Sequence, residues 1–133
     1  MKKYVFLLYL LICFVAVGCG ANKSLTGTVT FTDGEPATNG MVILRTDTFM
    51  ARGEIQPDGS YRISSERERD GVPPGVYQVY VSGISEPLPP GAGAAMPTPL
   101  VDPKFENPDT SGLEVTIPAP RNRFDIVLER RTN

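Results

Sequence analysis

Residues 25–32 have the sequence LTGTVTFT, in which every second residue is a threonine. The residues between the threonines are Leu25, Gly27, Val29 and Phe31, so one side of the pattern is mainly large and apolar. Alternation with a period of two places apolar side chains on one face of a β-strand, and threonine suits the exposed face. The segment therefore predicts a strand with one buried face, the unit of a β-sheet that packs on a second layer.

The same pattern recurs along the chain, and no stretch after the N-terminal segment carries a 3.6-residue apolar period. Residues 41–44 are continuously apolar, which predicts a central strand covered on both faces. The other predicted strands are residues 51–55, 60–64, 76–82, 113–117 and 124–128. Seven short strands, most of them separated by turn sequences, predict an all-β, Greek-key β-sandwich over residues 25–129, followed by a tail at 130–133.

The sequence QPDG at residues 56–59 predicts a tight turn between two of these strands. Pro57 presets the backbone of the turn, and Gly59 supplies a positive φ. Residues 51–55 and 60–64 are therefore predicted to form a hairpin.

The longest gap between predicted strands is residues 86–112, which contain seven prolines and an Ala-Gly tract. A connection of that length is functional, mobile or both. Because proline lacks a backbone donor and glycine raises the entropy cost of ordering, we expect residues 85–98 to be disordered or weakly packed. The apolar Val101 and Phe105 predict that residues 100–105 dock on the sandwich.

The first 18 residues are mostly apolar and differ in composition from the rest of the chain. Lys2 and Lys3 precede an apolar run at residues 4–17, which is long enough for an export signal and shorter than the ~20 residues of a membrane-spanning helix. The run ends in Ala16-Val17-Gly18-Cys19, which resembles the bacterial lipobox. In that motif the cysteine is acylated before the signal is cleaved immediately upstream.

The lipobox resemblance implies that residues 1–18 are removed and that Cys19 becomes a lipidated first residue, followed by a tether at residues 19–24. Two other interpretations stay open, namely plain secretory cleavage and retention of residues 4–20 as an anchor helix. A disulfide would need Cys13, which leaves with the signal. Two or more acyl chains give stable anchoring, so the expected location is the cell envelope, periplasm-facing or surface-exposed.

Charge and residue content exclude several function classes. Of the 13 basic and 15 acidic side chains, two basic ones belong to the predicted signal, which leaves a net charge of −4. The basic residues are interleaved with acids, as in the run Glu66 to Asp70, which predicts a solvated loop and argues against nucleic-acid binding. Histidine, the commonest general base and metal ligand, is absent from the chain. No catalytic residue, metal or cofactor is predicted.

Three groups of residues are candidate chemical sites. Asp33, Asp58 and Asp102 carry oxygens that suit calcium, but Asp-Gly pairs are usually turns. Serines beside charged residues lack an oriented third group, so they are expected to be solvated. These serines are Ser24, Ser64 and Ser65.

By strand parity Tyr77 and Tyr80 lie on opposite faces, which leaves one ring available for stacking on a sugar.

Short turn-and-strand motifs carry a family resemblance. They are Gly27-Thr28-Val29 with Asp33-Gly34-Glu35-Pro36, Gly40-Met41-Val42, Gly53 with Pro57-Asp58-Gly59-Ser60-Tyr61, and Pro74-Gly75-Val76-Tyr77-Gln78-Val79. With these motifs the chain resembles the carboxypeptidase regulatory-like domain, a transthyretin-like or immunoglobulin-like sandwich. The C-terminal part is similar to that of small bacterial surface lipoproteins that bear this domain, in residues 102–105, 107–113 and 122–126.

The resemblance implies a non-catalytic accessory domain. A related adhesin fold forms an internal isopeptide bond from a core lysine, but Lys23 and Lys104 are both predicted to lie in loops or linkers, so that crosslink is not expected. The expected function is a lipid-anchored interaction or structural module that contacts an envelope protein or a wall polymer. The alternative is a module that binds a carbohydrate or another small ligand, with the Pro-rich loop at residues 86–112 as a lid.

Overall fold

The computed structural model describes residues 24–63 and 71–132. The strands are β1 (Leu25–Phe31), β2 (Met41–Arg45), β3 (Met50–Glu54), β4 (Ser60–Ile63), β5 (Gly75–Ser82), β6 (Leu113–Ile117) and β7 (Ile126–Leu128). They form a three-stranded sheet in the order β4-β1-β7 and a four-stranded sheet in the order β3-β2-β5-β6. This arrangement of two sheets confirms the all-β, sandwich-like architecture that the sequence predicts.

Strand β1 lies at the centre of the three-stranded sheet, antiparallel to β4 and parallel to β7. Its burial alternates as predicted, because Leu25, Val29 and Phe31 are buried while the threonines between them are half-buried. Gly27 is required by packing, since a Cβ there would lie 1.9 Å from the carbonyl oxygen of Phe124. The close approach of a second chain segment therefore explains the glycine within this strand.

Strand β2 is central, as predicted, because it pairs with β3 on one side and with β5 on the other. The expectation that both of its faces are covered is wrong. Val42 and Leu44 are fully buried, whereas Met41 is 39% exposed and Ile43 is only half-buried. The continuous apolar run at residues 41–44 arises because Met41 and Ile43, on the outer face of the sheet, are apolar as well. An unbroken apolar run therefore does not show that a second layer covers the outer face.

The predicted turn at residues 56–59 is confirmed. Gln56 and Ser60 are joined by a backbone hydrogen bond of 2.8 Å, and Gly59 has a φ of +85°. The two strands nevertheless enter different sheets, and their pairing is limited to an isolated bridge between Ile55 and Tyr61. The turn thus carries the chain from one sheet to the other.

The core is formed by buried side chains on the facing sides of the two sheets, together with side chains from the connections. From the long connection after β5, Ile84, Val101 and Phe105 join it. Burial of such apolar surface, at about 25 cal/mol per Å², is the main force that holds the two sheets together. The largest fully buried strand residues are Leu25, Val29, Val42, Leu44, Ile63, Val79, Val81, Ile126 and Leu128.

Ser24 and the start of β1 lie at one end of the sandwich, which we call the entry end. Thr26, next to the start of β1, pairs with Arg123 in the connection formed by residues 118–125. That connection leaves β6 at Ile117, which lies opposite Gly75 at the start of β5. The start of β1, the start of β5 and the β6–β7 connection therefore lie together.

The β2–β3 turn, residues 46–49, belongs to the entry end as well. Arg45, at the end of β2, lies opposite Gln78 in the first half of β5. The ring of Phe49 in the turn meets the ring of Tyr77 edge to face, with their centroids 5.9 Å apart. This contact fixes the turn against the start of β5.

The opposite end, which we call the loop end, carries the Pro-rich connection. Strand β5 ends at Ser82, opposite Met41 at the start of β2. Strand β7 ends at Leu128, opposite Phe31 at the end of β1. The loop end therefore consists of residues 32–40, 55–59, 83–112 and 129–132.

Candidate functional site

Cys19, the one residue to which the sequence assigns a chemical modification, lies outside the described residues. The same holds for the predicted signal at residues 1–18 and for the charged run at 66–70. Of the predicted tether, Ser24 is described, and its hydroxyl accepts a 3.5 Å contact from the guanidinium of Arg62. Within the described ranges, no helix has the length and hydropathy needed to cross a membrane.

The Pro-rich connection is closed at its base by backbone pairing. Ser85 pairs with Pro99, and the N–H of Glu86 donates to the carbonyl of Thr98 at 2.9 Å. The amide side chain of Asn39 bonds both backbone groups of Ser85, at 2.9 and 3.0 Å, much as a neighbouring strand would. Asn39 thereby attaches the base of the loop to the connection between β1 and β2.

Above this base, residues 87–97 extend into solvent. Apart from half-buried Ala92 every residue in this stretch is exposed, and Met96 and Leu88 expose 89% and 43% of their surface. This exposure agrees with the weak packing expected for residues 85–98, except at Ser85, Glu86 and Thr98, which belong to the paired base. Leu88 and Met96 therefore leave apolar surface open to solvent in this stretch.

The second half of the connection is packed, as predicted for residues 100–105. Val101 is fully buried, and Phe105 is 6% exposed within a 3-10 helix, Pro103–Glu106. The carboxylate of Asp102 caps that helix by accepting the N–H of Lys104 at 3.0 Å. Ser111 is also buried, and its hydroxyl donates to the carbonyl of Val79 at 2.5 Å.

The fold continues past residue 129, where the sequence predicted a tail. Arg130 pairs with Val101, and the N–H of Arg131 donates to Leu100 at 2.9 Å. The guanidinium of Arg130 lies 2.6 Å from a carboxylate oxygen of Asp33 and 4.1 Å from the centre of the Phe31 ring. This ion pair holds the pKa of Asp33 below its ordinary value.

Each of the three aspartates that are candidate calcium ligands instead accepts hydrogen bonds within its own turn or at the start of its 3-10 helix. Asp33 accepts the N–H of Glu35, and Asp58 accepts both the hydroxyl and the N–H of Ser60, at 2.6 and 2.9 Å. The bonds to Ser60 lower the pKa of Asp58. Asp102 caps the 3-10 helix, as described above. Among the described residues no group of three or more acidic or cysteine side chains is placed to hold a metal ion.

The parity prediction for the two tyrosines of β5 is confirmed. Tyr77 is buried, and its hydroxyl donates to the carbonyl of Pro73 at 2.8 Å, while Tyr80 is half-buried on the outer face of the sheet. Lys104, placed in a loop by the sequence, lies in the 3-10 helix and pairs with Glu129 at 2.6 Å. The pKa of Lys104 is raised, chiefly by its hydrogen bond with Glu129.

A polar cluster at the entry end had no signal in the sequence. The hydroxyl of buried Tyr61 donates to the carbonyl of Phe124, and burial raises the pKa of this tyrosine well above its ordinary value. Asp125 accepts the N–H and the hydroxyl of Thr28, at 2.9 and 3.0 Å, and pairs with Arg123 at 3.0 Å. These contacts join β1, β4 and the β6–β7 connection, and Arg123 lowers the pKa of Asp125.

Two shallow depressions lie beside the β2–β3 turn at the entry end. Both are lined by Arg45, Thr46 and Asp47, and no residue of the Pro-rich connection lines either one. The loop therefore does not act as a lid over these two depressions.

A scan against protein-family models finds no match for this chain, and searches of curated proteins and of solved structures find none either.

Proposed function

We propose that the chain is a non-catalytic, lipid-anchored protein of the cell envelope, whose seven-stranded Greek-key sandwich of the carboxypeptidase regulatory-like kind displays residues 87–97 to a partner. The partner class is an envelope protein or a wall polymer. Lipidation at Cys19 is the anchoring step of this proposal.

One observation carries the proposal, namely that the chain enters the sandwich at the end opposite the Pro-rich connection. A protein tethered through the residues before Leu25 keeps its entry end toward the membrane. The exposed stretch with Leu88 and Met96 then lies on the side away from it. An anchored display module requires this arrangement of attachment point and contact loop.

The strand orders support the Greek-key part of the proposal. The chain passes from one sheet to the other after β1, β3, β4 and β6, so most connections cross between the sheets. Such crossings are the usual feature of a sandwich of this kind. The Asp-Gly and Pro-Gly turns of the family resemblance lie at these crossings or at the start of β5.

An interaction function is favoured over a ligand-binding lid because the exposed stretch covers neither of the two depressions. Its apolar side chains face solvent, where a partner surface buries them.

Replacement of the anchoring residue tests the proposal. In cells that express the full chain, Cys19→Ala should leave an unprocessed precursor, because lipoprotein maturation needs the thiol. Mass spectrometry and detergent partitioning of the membrane fraction provide the measurement. A variant with the same mature mass and the same partitioning as the unaltered chain would refute the lipoprotein assignment.

The display part is tested with a shortened loop. Replacement of residues 89–96 by two glycines removes most of the exposed stretch and keeps the paired base at Ser85 and Pro99. Chemical crosslinking in intact cells, followed by mild detergent extraction, should recover a partner with the full-length loop and lose it with the short one. Equal recovery with both loops would place the contact elsewhere.

A further inference from the structure

The charged side chains of the sandwich are distributed unequally between its two ends. Eight acidic side chains lie at the loop end against three basic ones, whereas the entry end carries three acidic and four basic side chains. At the loop end these are Asp33, Glu35, Asp58, Glu86, Asp102, Glu106, Asp109 and Glu129, with Lys104, Arg130 and Arg131. At the entry end they are Asp47, Glu114 and Asp125, with Arg45, Arg62, Arg121 and Arg123.

The segments outside the described residues do not reverse this polarity. The chain between β4 and β5 contributes three acidic and two basic side chains at residues 66–70, and Lys23 precedes β1. These six charges cancel.

At the entry end, one of the acidic side chains is neutralised by an ion pair. Asp125 is occupied by Arg123 at 3.0 Å and by Thr28, so this pair contributes little net field. Three exposed arginines remain against two acidic side chains, which leaves this end with a small excess of positive charge. The arginines are Arg45 at the end of β2, Arg62 on β4 and Arg121 in the β6–β7 connection, and the acidic residues are Asp47 and Glu114, which line one depression with Arg45.

The predicted tether is short enough to bring these arginines to a bilayer. Residues 19–24 span at most about 20 Å when fully extended. The guanidinium of Arg62 already reaches the hydroxyl of Ser24, the last tether residue. Attraction to an anionic membrane surface extends over about a Debye length, ~10 Å at 0.1 M salt. A lipid anchor at Cys19 therefore holds the entry end within or near this range.

We propose that the entry end docks on the anionic phospholipid headgroups of the bilayer that holds the anchor, through Arg45, Arg62 and Arg121. This inference rests on the proposed function, because the anchor brings the surface into reach. The acidic loop end would be repelled only if it approached the same headgroups, so the charges of both ends favour the orientation in which the entry end faces the membrane. Residues 87–97 are thereby kept away from the membrane and available to a partner.

A tryptophan reporter gives a direct test, because the chain contains no tryptophan. Thr48 is exposed in the turn next to Arg45, and Met96 is exposed at the loop end. Thr48→Trp and Met96→Trp place one reporter at each end of the full lipidated chain. The proteins are reconstituted in vesicles of phosphatidylcholine alone or mixed with phosphatidylglycerol, both with headgroup spin labels that quench nearby tryptophan.

Docking predicts strong quenching at position 48 on the phosphatidylglycerol vesicles and weak quenching at position 96. The double variant Arg45→Gln and Arg121→Gln should lower the ratio of docked to free protein about 25-fold, or about fivefold for each arginine. Arg52→Gln with Arg131→Gln is the matched control, because it removes the same charge from exposed positions outside the entry end and should keep the quenching. About 1 M salt, where the Debye length is ~3 Å, should abolish quenching without any mutation.

The outcomes separate docking from anchoring. Sedimentation with neutral vesicles reports the anchor, and loss of quenching in protein that still sediments overturns the docking alone. Equal quenching at position 48 on neutral and anionic vesicles, or stronger quenching at position 96, also overturns it. Binding to anionic vesicles only, with release by salt, would support docking and refute the lipid anchor.

Discussion

The Pro-rich connection has two halves that differ in packing although both are rich in proline. Residues 87–97 are almost entirely exposed, whereas the second half contributes Val101, Phe105 and Ser111 to the buried interior. Proline content is therefore not what separates an exposed loop from a packed one. The difference lies in the few apolar side chains of the second half and in the backbone bonds that hold them.

The second half is also held by the chain that follows β7. Val101 pairs with Arg130, and the N–H of Asp102 donates to the carbonyl of Glu129 at 3.0 Å. These bonds pair the second half with the segment that follows β7, whereas the first half is paired only at its base. The first half is thus free to serve as a contact surface, while the second half behaves as part of the sandwich.

The largest expected effect comes from removing the ring that pins the second half. Phe105→Ala should destabilise the domain by about 3 kcal/mol, because the buried ring is lost and a cavity remains. Thermal or denaturant unfolding gives the measurement. A change below about 1 kcal/mol would mean that the ring does not hold the connection in place, and the contrast between the halves would fail.

A smaller loss is expected from the buried hydroxyl in the same half. Ser111→Ala removes the donor to the carbonyl of Val79 and the acceptor for the N–H of Leu113, which should cost about 1 to 2 kcal/mol. Thr110→Ala, at the exposed neighbouring position, is the control for loss of a hydroxyl. Equal destabilisation by the two variants would show that burial does not set the effect.

The smallest effect is expected in the first half. Replacement of residues 89–96 by two glycines should change the free energy of unfolding by less than about 1 kcal/mol, because loop-closure entropy depends only weakly on loop length. Denaturant unfolding of this variant beside Phe105→Ala compares the two halves directly. A loss as large as that of Phe105→Ala would identify the exposed stretch as a structural element.

The sequence predicted those features of the fold that depend on local pattern. Alternation located the strands, as in β1, and the QPDG turn was placed correctly because Pro57 and Gly59 determine its backbone locally. The docking of Val101 and Phe105 was also predicted, since apolar side chains in a polar segment need a surface to cover them.

Features that depend on tertiary contacts were missed. The strands that the sequence predicted as a hairpin belong to two different sheets. The backbone of Gly53 in one of them lies against the backbone of Arg62 in the other, and no local pattern encodes this proximity. The outer face of β2 was predicted to be covered because apolar continuity does not distinguish a buried face from an exposed apolar one. Arg130 was assigned to a tail, since its contacts with Asp33 and Phe31 join positions far apart in the chain. The modification site at Cys19 remains a prediction.

The central position of β1 determines how the domain bears a mechanical load. A pull on the residues before Leu25 acts along β1, which is bonded to β4 on one side and to β7 on the other. Because ladder hydrogen bonds run across the strand direction, such a force shears both ladders at once instead of opening them bond by bond. In the proposed anchored protein, a partner that pulls on the loop end would therefore load β1 in its most resistant direction.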